Sequence, residues 1–348
     1  MPNIKDVARE AGVSPMTVSY VINNHPAVKA STREHVLAVI KRVGYQPSAA
    51  ARGLQRRRMG AVGVLYGFSG PSLVLDYYLG HVLDGILNAN EANKQKTVLF
   101  RERDWHTAAA NVSLFTDGYC DGLIIVIPNV YSPIIGAVQA RNVPFIVVGV
   151  ETDDPEIPSV DIDNVQCAYD ITRAVISLGH TKIGYIAGPG HSRSALLRTE
   201  GVRAAMRDAG LSIREDWMAQ SEFVLPDSQS VPKQFLRRLF GDLPTAIICA
   251  DDNIAMGALA ACKEFGISVP AELSITGIDD TIDAQRSTPA LTTMRQPVTE
   301  IGYQGAMLLN DLIQSRHQGE IPQPKNLQIR LATELVIRES TAPPRTTS

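Results

Sequence analysis

The stretch "IKDVAREAGVSPMTVSYVIN", residues 4–23, decides how the first part of the chain folds. Asn3 and Ser14 stand where N-cap side chains can satisfy the first amides of two short helices. Pro15 follows at the first helical position, where its missing N–H costs nothing. Gly12 lies between the two helices, where a residue in the left-handed backbone conformation commonly ends a helix. The spacing predicts two short helices joined by a tight turn.

The second predicted helix has two different faces. Val18, Val21 and Ile22 share an apolar face at helical spacing. The opposite face carries Pro15, Met16, Ser19, Tyr20 and Asn23. Such a mixture of exposed apolar and polar groups indicates a binding surface.

A third helix is predicted between a capping box and a glycine. Ser31 and Glu34 have the spacing of the capping box, and Gly44 stands at the predicted end. Its predicted inner face consists of Val36, Leu37, Ile40 and Val43. Two short helices joined by a glycine-containing turn, with a third beneath them, form a helix-turn-helix unit. In that unit the second helix enters the DNA major groove.

The charge of the chain is unevenly distributed. Residues 1–60 contain ten Lys or Arg and three Asp or Glu, a formal charge of +7, so the rest carries −10 within a net charge of −3. A basic head indicates a polyanion partner. On DNA, Met16 and Tyr20 would read bases, while Thr17, Ser19 and Asn23 would hold phosphates. The alternative is a three-helix bundle that uses this face for a protein contact.

The opening stretch strongly resembles the N-terminal signature of the LacI/GalR family of bacterial transcription regulators. The resemblance continues through "VKASTREHV" (28–36) and "GYQPSAAARGL" (44–54) and extends over most of the chain. It implies that Pro15, Met16 and Tyr20 hold the main base-reading positions. Because proline cannot donate a hydrogen bond, direct readout is expected to depend on the other two side chains.

The segment "QPSAAARGLQRRRMG", residues 46–60, joins an alanine run to four arginines. Its composition predicts a helix too short to persist alone, or a flexible basic linker. The family resemblance implies a hinge helix that orders when two copies pair over the minor groove. The resemblance also implies that Leu54 would wedge between base pairs, with Ala51 packed beside it. The chain departs from the family pattern at Ser48, where relatives usually have Asn. The predicted DNA-binding residues are Ser14, Pro15, Met16, Thr17, Ser19, Tyr20, Asn23, Ala51, Arg52 and Leu54.

From residue 61 onward, short apolar runs alternate with helical stretches. The apolar runs are residues 61–66, 97–100, 122–127 and 144–149 in one series, and 182–188, 245–251 and 272–279 in another. Continuous apolar runs are typical of parallel strands buried on both faces. Helices are predicted between them at 79–92, 164–178, 199–209 and 253–265. The pattern predicts two doubly wound α/β lobes. The resemblance implies a periplasmic-binding-protein-like core with a cleft between the lobes.

These features predict a multi-domain chain with an all-α head and an α/β core. The predicted limits are 1–46 for the DNA-binding domain, 47–60 for the hinge, 61–340 for the core and 341–348 for a disordered tail. The chain is expected to cross between lobes near 159–163, 288–292 and 322–328. This assigns about 61–160 and 290–323 to the first lobe, and about 161–289 and 324–340 to the second. The segment after Leu335 lacks a leucine heptad, so a coiled-coil tetramer is not indicated.

Polar residues just after the strand runs are candidates for a ligand site, because ligands bind at the carboxyl ends of parallel strands. The resemblance implies that Arg198 and Asp279 bind the ligand and that Asp251 replaces an Asn common in relatives. A carboxylate at Asp279 suits paired sugar hydroxyls. The predicted effector-binding residues are Arg198, Asp251, Asp279, Tyr78, Phe223 and Asp76.

These residues also have structural alternatives. Arg198 would form an ion pair on its helix surface, and the aromatic rings would belong to the core. Asp252 is predicted to cap a helix, and Asp280 to make a turn or lobe-crossing contact. Arg193 does not reproduce the pattern of the purine-binding branch, and the family resemblance then implies a sugar or sugar derivative as the effector.

Composition and motifs disfavour other classes of protein. The chain shows no apolar run long enough for a bilayer and no apolar signal-peptide core, which predicts a cytoplasmic protein without membrane contact. The four cysteines form no CxxC pair and are predicted to be structural thiols, with no metal or cofactor. The segment "GPGHSR" lacks the third glycine of a dinucleotide fingerprint, and no GxxxxGK[ST], HExxH or GxSxG occurs. An enzyme is therefore not expected.

The resulting prediction is a homodimeric transcription regulator that binds a near-palindromic operator in double-stranded DNA. It is expected to repress a carbohydrate-utilisation operon and to be switched by a small sugar-like effector in the cleft. Two alternatives stay open. One is a sugar-binding or sugar-metabolising α/β protein, which leaves the basic head unexplained. The other is a family member that uses a corepressor or a protein co-regulator.

Overall fold

Two units make up the chain, Met1–Gly60 and Ala61–Ser348. The computed structural model describes residues 2–45, 58–67, 77–318 and 327–345. Four predicted binding residues, Ala51, Arg52, Leu54 and Asp76, lie outside the described residues. Among the described helices, none combines the length and the apolar run that a membrane crossing requires.

The helices described in the first unit are Ile4–Glu10 (α1), Pro15–Ile22 (α2) and Ala30–Val43 (α3). The Asn3 side chain accepts hydrogen bonds from the first turn of α1 and forms a capping box with Asp6, which confirms the predicted start. Ser14 Oγ accepts the Thr17 N–H at 3.1 Å at the start of α2. Gly12 has φ +64°, as the tight turn requires. The helix-turn-helix geometry therefore follows from local signals.

The core of this unit is small and aliphatic. Its buried side chains are Val7, Ala8, Ala11, Val18, Val21, Val36 and Val39. The predicted capping box at Ser31 and Glu34 is wrong, because α3 begins at Ala30 and has no side-chain cap. Leu37 was placed on the inner face but is 48% exposed, because Val36 and Val39 fill that position instead. The inner face of α3 is thus rotated slightly around the helix axis from the predicted one.

The described residues of the second unit contain two six-stranded sheets. In chain order the strands are Ala61–Gly67 (β1), Lys96–Glu102 (β2), Gly122–Val126 (β3), Phe145–Val148 (β4), Ser159–Ile162 (β5), Ile183–Ala187 (β6), Met218–Gln220 (β7), Ala246–Cys249 (β8), Ser274–Asp279 (β9), Thr292–Arg295 (β10), Gln328–Leu331 (β11) and Glu334–Val336 (β12). The first sheet has the order β11-β5-β4-β3-β1-β2 and the second the order β12-β10-β9-β8-β6-β7. All pairs are parallel except β10 with β12. The predicted doubly wound lobes are confirmed.

Helices connect these strands. They are Tyr77–Ala92 (α4), Trp105–Ala110 (α5), Ile134–Gln139 (α6), Asn164–Ser177 (α7), Arg193–Asp208 (α8), Asp227–Arg238 (α9), Asp252–Phe265 (α10), Ile282–Arg286 (α11) and Val298–Gln318 (α12), with 3₁₀ turns at Val112–Leu114 and Glu215–Trp217. Helix α8 begins earlier than predicted, because Ser192 caps it. All four cysteines lie buried as free thiols.

The lobe limits differ from the predicted ones. Strand β10 pairs in parallel with β9, so it belongs to the second lobe, although residues 290–323 were assigned to the first. Strand β11 pairs with β5, so it belongs to the first lobe, although residues 324–340 were assigned to the second. The chain therefore crosses between lobes after β5, between β10 and α12, and between β11 and β12. The apolar pattern missed this because strand pairing is set by distant segments.

The prediction of a disordered tail from residue 341 is wrong for its first residues. The Ala342 N–H donates to Ser274 Oγ at 3.1 Å. The Ala342 carbonyl accepts from His180 Nε2 at 2.8 Å. Neighbouring Ser340 Oγ donates to the Ile275 carbonyl at 2.6 Å. Paired polar groups of this kind fix the chain to the second lobe.

Glycine allows α4 and α12 to approach each other at the level of the backbone. A Cβ atom on Gly85 would lie 1.9 Å from the Thr299 carbonyl oxygen. A Cβ atom on Gly302 would lie 2.0 Å from the Val82 carbonyl oxygen. Because both contacts involve backbone atoms, no side-chain movement could relieve them. Helices α4 and α12 of the first lobe are therefore in close backbone contact at these two glycines.

Candidate functional site

A solvent-connected cavity of about 130 Å³ lies in the cleft between the lobes, at the carboxyl ends of the parallel strands. In the first sheet, β1 lies between β2 and β3, so the strand order reverses there, and β6 has the equivalent place in the second sheet. Ligands of doubly wound sheets bind at such reversal points. The cleft is therefore the candidate ligand site.

Arg198 is buried on the floor of this cleft, with 5% of its surface exposed. Its Nε donates to Asn164 Oδ1 at 3.0 Å and its Nη1 to the Ala250 carbonyl at 2.7 Å. The guanidinium carbon lies 5.9 Å from the centre of the Phe223 ring. The alternative of an ordinary surface ion pair is wrong, because the guanidinium points inward.

Asp251 lines the cleft and also caps α10. Its Oδ1 accepts the Ile254 N–H at 2.8 Å. Burial, reinforced by the nearby Asp279 carboxylate, raises the pKa of Asp251 well above its usual value. The prediction that Asp252 caps this helix is wrong. Asp252 is the first helical residue, and it accepts from the Thr281 N–H at 2.8 Å and from Thr293 Oγ1 at 2.6 Å.

Asp279 and Asp280 end strand β9 with positive φ angles of +139° and +62°. Asp279 lines the cleft and accepts a hydrogen bond from Gln296 Nε2 at 2.5 Å. Asp280 points away from the ligand space and accepts from Arg295 Nε at 2.7 Å and from Arg338. Burial opposes ionisation of Asp280, but these arginine hydrogen bonds outweigh it and lower its pKa. Asp280 is thus a structural contact, whereas Asp279 lines the cleft.

Asp161 and Gln296 are among the cleft residues that the sequence patterns do not indicate. Each is only 4% exposed and lines the cleft. Asp161 accepts from Asn164 Nδ2 at 2.9 Å, and Gln296 Oε1 has no hydrogen-bond partner in the part of the chain that the structure describes. Strand β5, which carries Asp161, was not predicted because it is short and contains an acid. Nothing in the local sequence singles out Gln296.

Two aromatic residues flank the polar groups. Tyr78 and Phe223 both line the cleft, one from each lobe, as the predicted site requires. Tyr78 packs on Gly149, where a Cβ atom would lie 2.6 Å from the tyrosine oxygen. The structure therefore brings Arg198, Asp251, Asp279, Tyr78 and Phe223 together around one space.

Asp161→Asn is expected to stabilise the unliganded core near pH 8. Burial raises the pKa of Asp161 to about 7, from about 3.9 in an unfolded chain. Between these values the folded protein binds more protons than the unfolded chain, so its stability falls as pH rises from about 4 to about 7. Above that range the destabilisation is on the order of 4 kcal/mol, because each pKa unit corresponds to about 1.4 kcal/mol.

Thermal unfolding midpoints near pH 8 and near pH 4.5 test this expectation. The variant should unfold at a higher temperature than the wild type at the higher pH, and the difference should narrow at the lower pH. Asp283→Asn, at an exposed residue outside the cleft, is the control for loss of one charge. An equal difference at both pH values would contradict the assigned cause.

The predicted DNA surface lies on one side of α2. Ser14, Pro15 and Met16 are exposed, and Met16 has 63% of its surface open to solvent. The half-buried members of this surface are Thr17, Ser19, Tyr20 and Asn23. An exposed methionine at the start of a recognition helix can make apolar contacts with base edges.

Contacts with neighbouring residues hold three of these side chains. The Tyr20 ring stacks on the His25 ring with their centres 4.5 Å apart. His25 is itself held by Arg33 Nη2, which donates to its carbonyl at 2.7 Å. Thr17 Oγ1 lies 2.9 Å from Ser14 Oγ. The surface is thus organised before any partner binds.

Comparisons with known proteins agree with both parts of this geometry. The family profile described as "Bacterial regulatory proteins, lacI family" matches residues 3–48. The profile described as "Periplasmic binding protein-like domain" matches residues 172–341. The HTH-type transcriptional repressor PurR of Proteus mirabilis (strain HI4320) is 32% identical over 92% of this chain and 93% of its own length. The PurR of Escherichia coli O1:K1 / APEC is 30% identical over 98% and 97%.

Two solved structures extend the likeness to almost the whole chain. The lac repressor dimer bound to operator and the anti-inducer ONPF has a TM-score of 0.82 and 26% identity, covering 98% of this chain and 99% of its own. The cellobiose complex of the transcriptional regulator CelR has a TM-score of 0.73 and 27% identity, covering 98% and 100%.

Proposed function

Because the chain belongs to the lacI family of bacterial regulatory proteins, a family of DNA-binding repressors with small-molecule effectors, we propose that it acts as a homodimer on a near-palindromic operator. We further propose that a sugar-like effector in the cleft controls its affinity for that operator. The regulated genes would then serve carbohydrate use, and the protein would act in the cytoplasm. The observation that carries the effector proposal is the buried Arg198 among cleft carboxylates.

The exposed face of α2 supports the proposed mode of DNA binding. Met16 extends into solvent at the start of the helix, and Tyr20 is held in place by His25. These are the positions from which a recognition helix reads base edges. We propose that Ala51, Arg52 and Leu54 continue the interface as a hinge in the minor groove, where Leu54 would wedge between base pairs.

The composition of the cleft supports a sugar-like effector. Carboxylates and guanidinium groups accept and donate the paired hydrogen bonds that neighbouring hydroxyl groups need, which suits Asp279 and Arg198. Tyr78 and Phe223 supply apolar faces on which a sugar ring could pack. The likeness to the cellobiose complex of CelR points to the same class of ligand.

Selection of binding sites from random duplex DNA, followed by affinity measurements over a salt series, tests the proposed function. We expect enrichment of a two-fold-symmetric site and a steep loss of affinity with salt, because a basic head releases counterions from the phosphates. Adding sugars to the selected complex should then change its affinity. Weak, sequence-independent binding under all conditions would contradict the proposal.

Met16→Ala is expected to weaken operator binding by about 10-fold, which is about 1.4 kcal/mol. The reason is loss of an apolar contact with the base edges, so binding to random DNA should change much less. The matched control is Leu37→Ala, which shortens an exposed apolar side chain on α3 of the same unit. Fluorescence anisotropy with operator and random duplexes measures both effects. Equal losses in the two variants would contradict the role of Met16.

A further inference from the structure

The cleft carries more acidic than basic groups. Asp161, Asp251 and Asp279 line it, against the single guanidinium of Arg198 among its described lining residues. Arg198 interacts electrostatically with all three carboxylates. Two of them, Asp161 and Asp251, are each only 4% exposed. One guanidinium group therefore faces three carboxyl groups in a place with little water.

Neighbouring arginines are engaged elsewhere. Arg295 and Arg338 both pair with Asp280, on the side of β9 away from the ligand space. Arg193, at the start of α8, pairs with Asp153. These arginines therefore do not compensate the cleft acids. Carboxyl groups in a buried site favour a cation or a proton beside them.

Gln296 gives an independent sign of a ligand at the same place. Its side chain is 4% exposed, and its Nε2 donates to Asp279 Oδ1. Its Oε1 is buried without a hydrogen-bond partner in the described ranges, and the residue lines the cleft. Buried acceptors of this kind are normally satisfied, so the site lacks a donor. The Gln296 carbonyl is thus a further hydrogen-bond acceptor beside the carboxyl groups of the cleft.

We propose that the effector is a cation, a small hydroxylated molecule with one ammonium group, such as an amino sugar. The proposal rests on the proposed function of the cleft as the effector site. An ammonium group supplies three donors and one positive charge, which match Asp161, Asp251 and the Gln296 carbonyl. The hydroxyl groups would bind Arg198 and Asp279. A metal ion is a poorer match, since no cluster among the described residues has a metal-binding arrangement.

Matched sugars that differ only in charge test this proposal. Glucosamine, galactosamine and mannosamine are compared with glucose, galactose and mannose, and with the neutral N-acetyl derivatives, by titration calorimetry on the full chain near neutral pH. We expect at least one amine to bind about 10-fold or more tightly than its hydroxyl counterpart, because a buried charge pair is formed. N-acetylation should abolish the preference.

Asp251→Asn separates charge from structure. Asparagine is an equally good N-cap, so α10 keeps its cap while the cleft loses one negative charge. The variant should lose most of the preference for the amine, whereas the control Asp283→Asn should retain it within about twofold, because exposed charges contribute little.

The outcomes distinguish the two proposals. Neutral sugars that bind as tightly as the amines, or a preference that survives in the Asp251→Asn variant, would overturn the cationic effector and leave the proposed function intact. Failure of every amine to bind would also overturn it. The proposed function itself fails only if the chain shows no operator preference or if no small molecule changes operator affinity.

Discussion

Gly85→Ala is expected to destabilise the second unit by about 3 kcal/mol, at the upper end of what an overpacked core loses. The added Cβ would meet the Thr299 carbonyl oxygen at 1.9 Å, well inside any real contact distance. Because the obstacle is backbone, helices α4 and α12 must separate, and the apolar side chains between them lose packing. The urea concentration at the unfolding midpoint measures the effect.

Gly80→Ala provides the matched control in the same helix. Its Cβ meets no atom within 4 Å. Alanine is the better helix former, so this variant should be more stable than the wild type by about 0.5–1 kcal/mol. Opposite signs for two identical substitutions in one helix identify the close helix contact as the cause. A small loss in both variants would contradict it.

Arg198→Met is expected to weaken effector binding by at least about 100-fold, or about 3 kcal/mol. The variant keeps similar side-chain volume but removes the only guanidinium that lines the described part of the cleft. Asn164 Oδ1 and the Ala250 carbonyl lose their donors, and three carboxylates lose their nearby cation. The ligand that binds the wild type most tightly in the sugar and amino-sugar titrations is used to measure the loss.

Two further variants show whether position and charge both matter. Arg203→Met removes an exposed arginine from the same helix and should change effector affinity by less than about twofold. Arg198→Lys keeps the positive charge but loses the planar, multidentate geometry of the guanidinium, so an intermediate affinity is expected. Wild-type affinity in the Arg198→Met variant would show that the effector does not bind in the cleft.

The head could be predicted almost completely from the sequence because its signals are local. Asn3, Ser14 and Gly12 define the two helices and their turn without help from distant residues. Leu37 was misplaced because several apolar residues of α3 compete for one narrow inner face. Only packing against the other two helices decides which of them is buried.

The cleft could be predicted only in part. Arg198 and Asp279 follow recognisable strand ends, and the family resemblance assigned them to the ligand site. Asp161 and Gln296 lie where the chain passes between lobes, and those passages depend on which strands pair. Pairing of β10 with β9 and of β11 with β5 involves segments far apart in the chain, so no local pattern reveals it.

The chain passages have a consequence for how the protein could acquire a new effector. Asp161 lies at the end of β5 and Gln296 lies between β10 and α12, so both acceptors belong to segments that join the two lobes. Substitutions that change ligand recognition at these positions also alter the connecting segments about which the lobes would move. A substitution at either position should therefore change both the ligand preference and the response to the ligand. Variants selected for a new ligand through these two positions should often show altered basal repression. Arg198 on α8 and Asp251 at the N-cap of α10 lie outside these connecting segments, so they are the positions where the two properties can diverge.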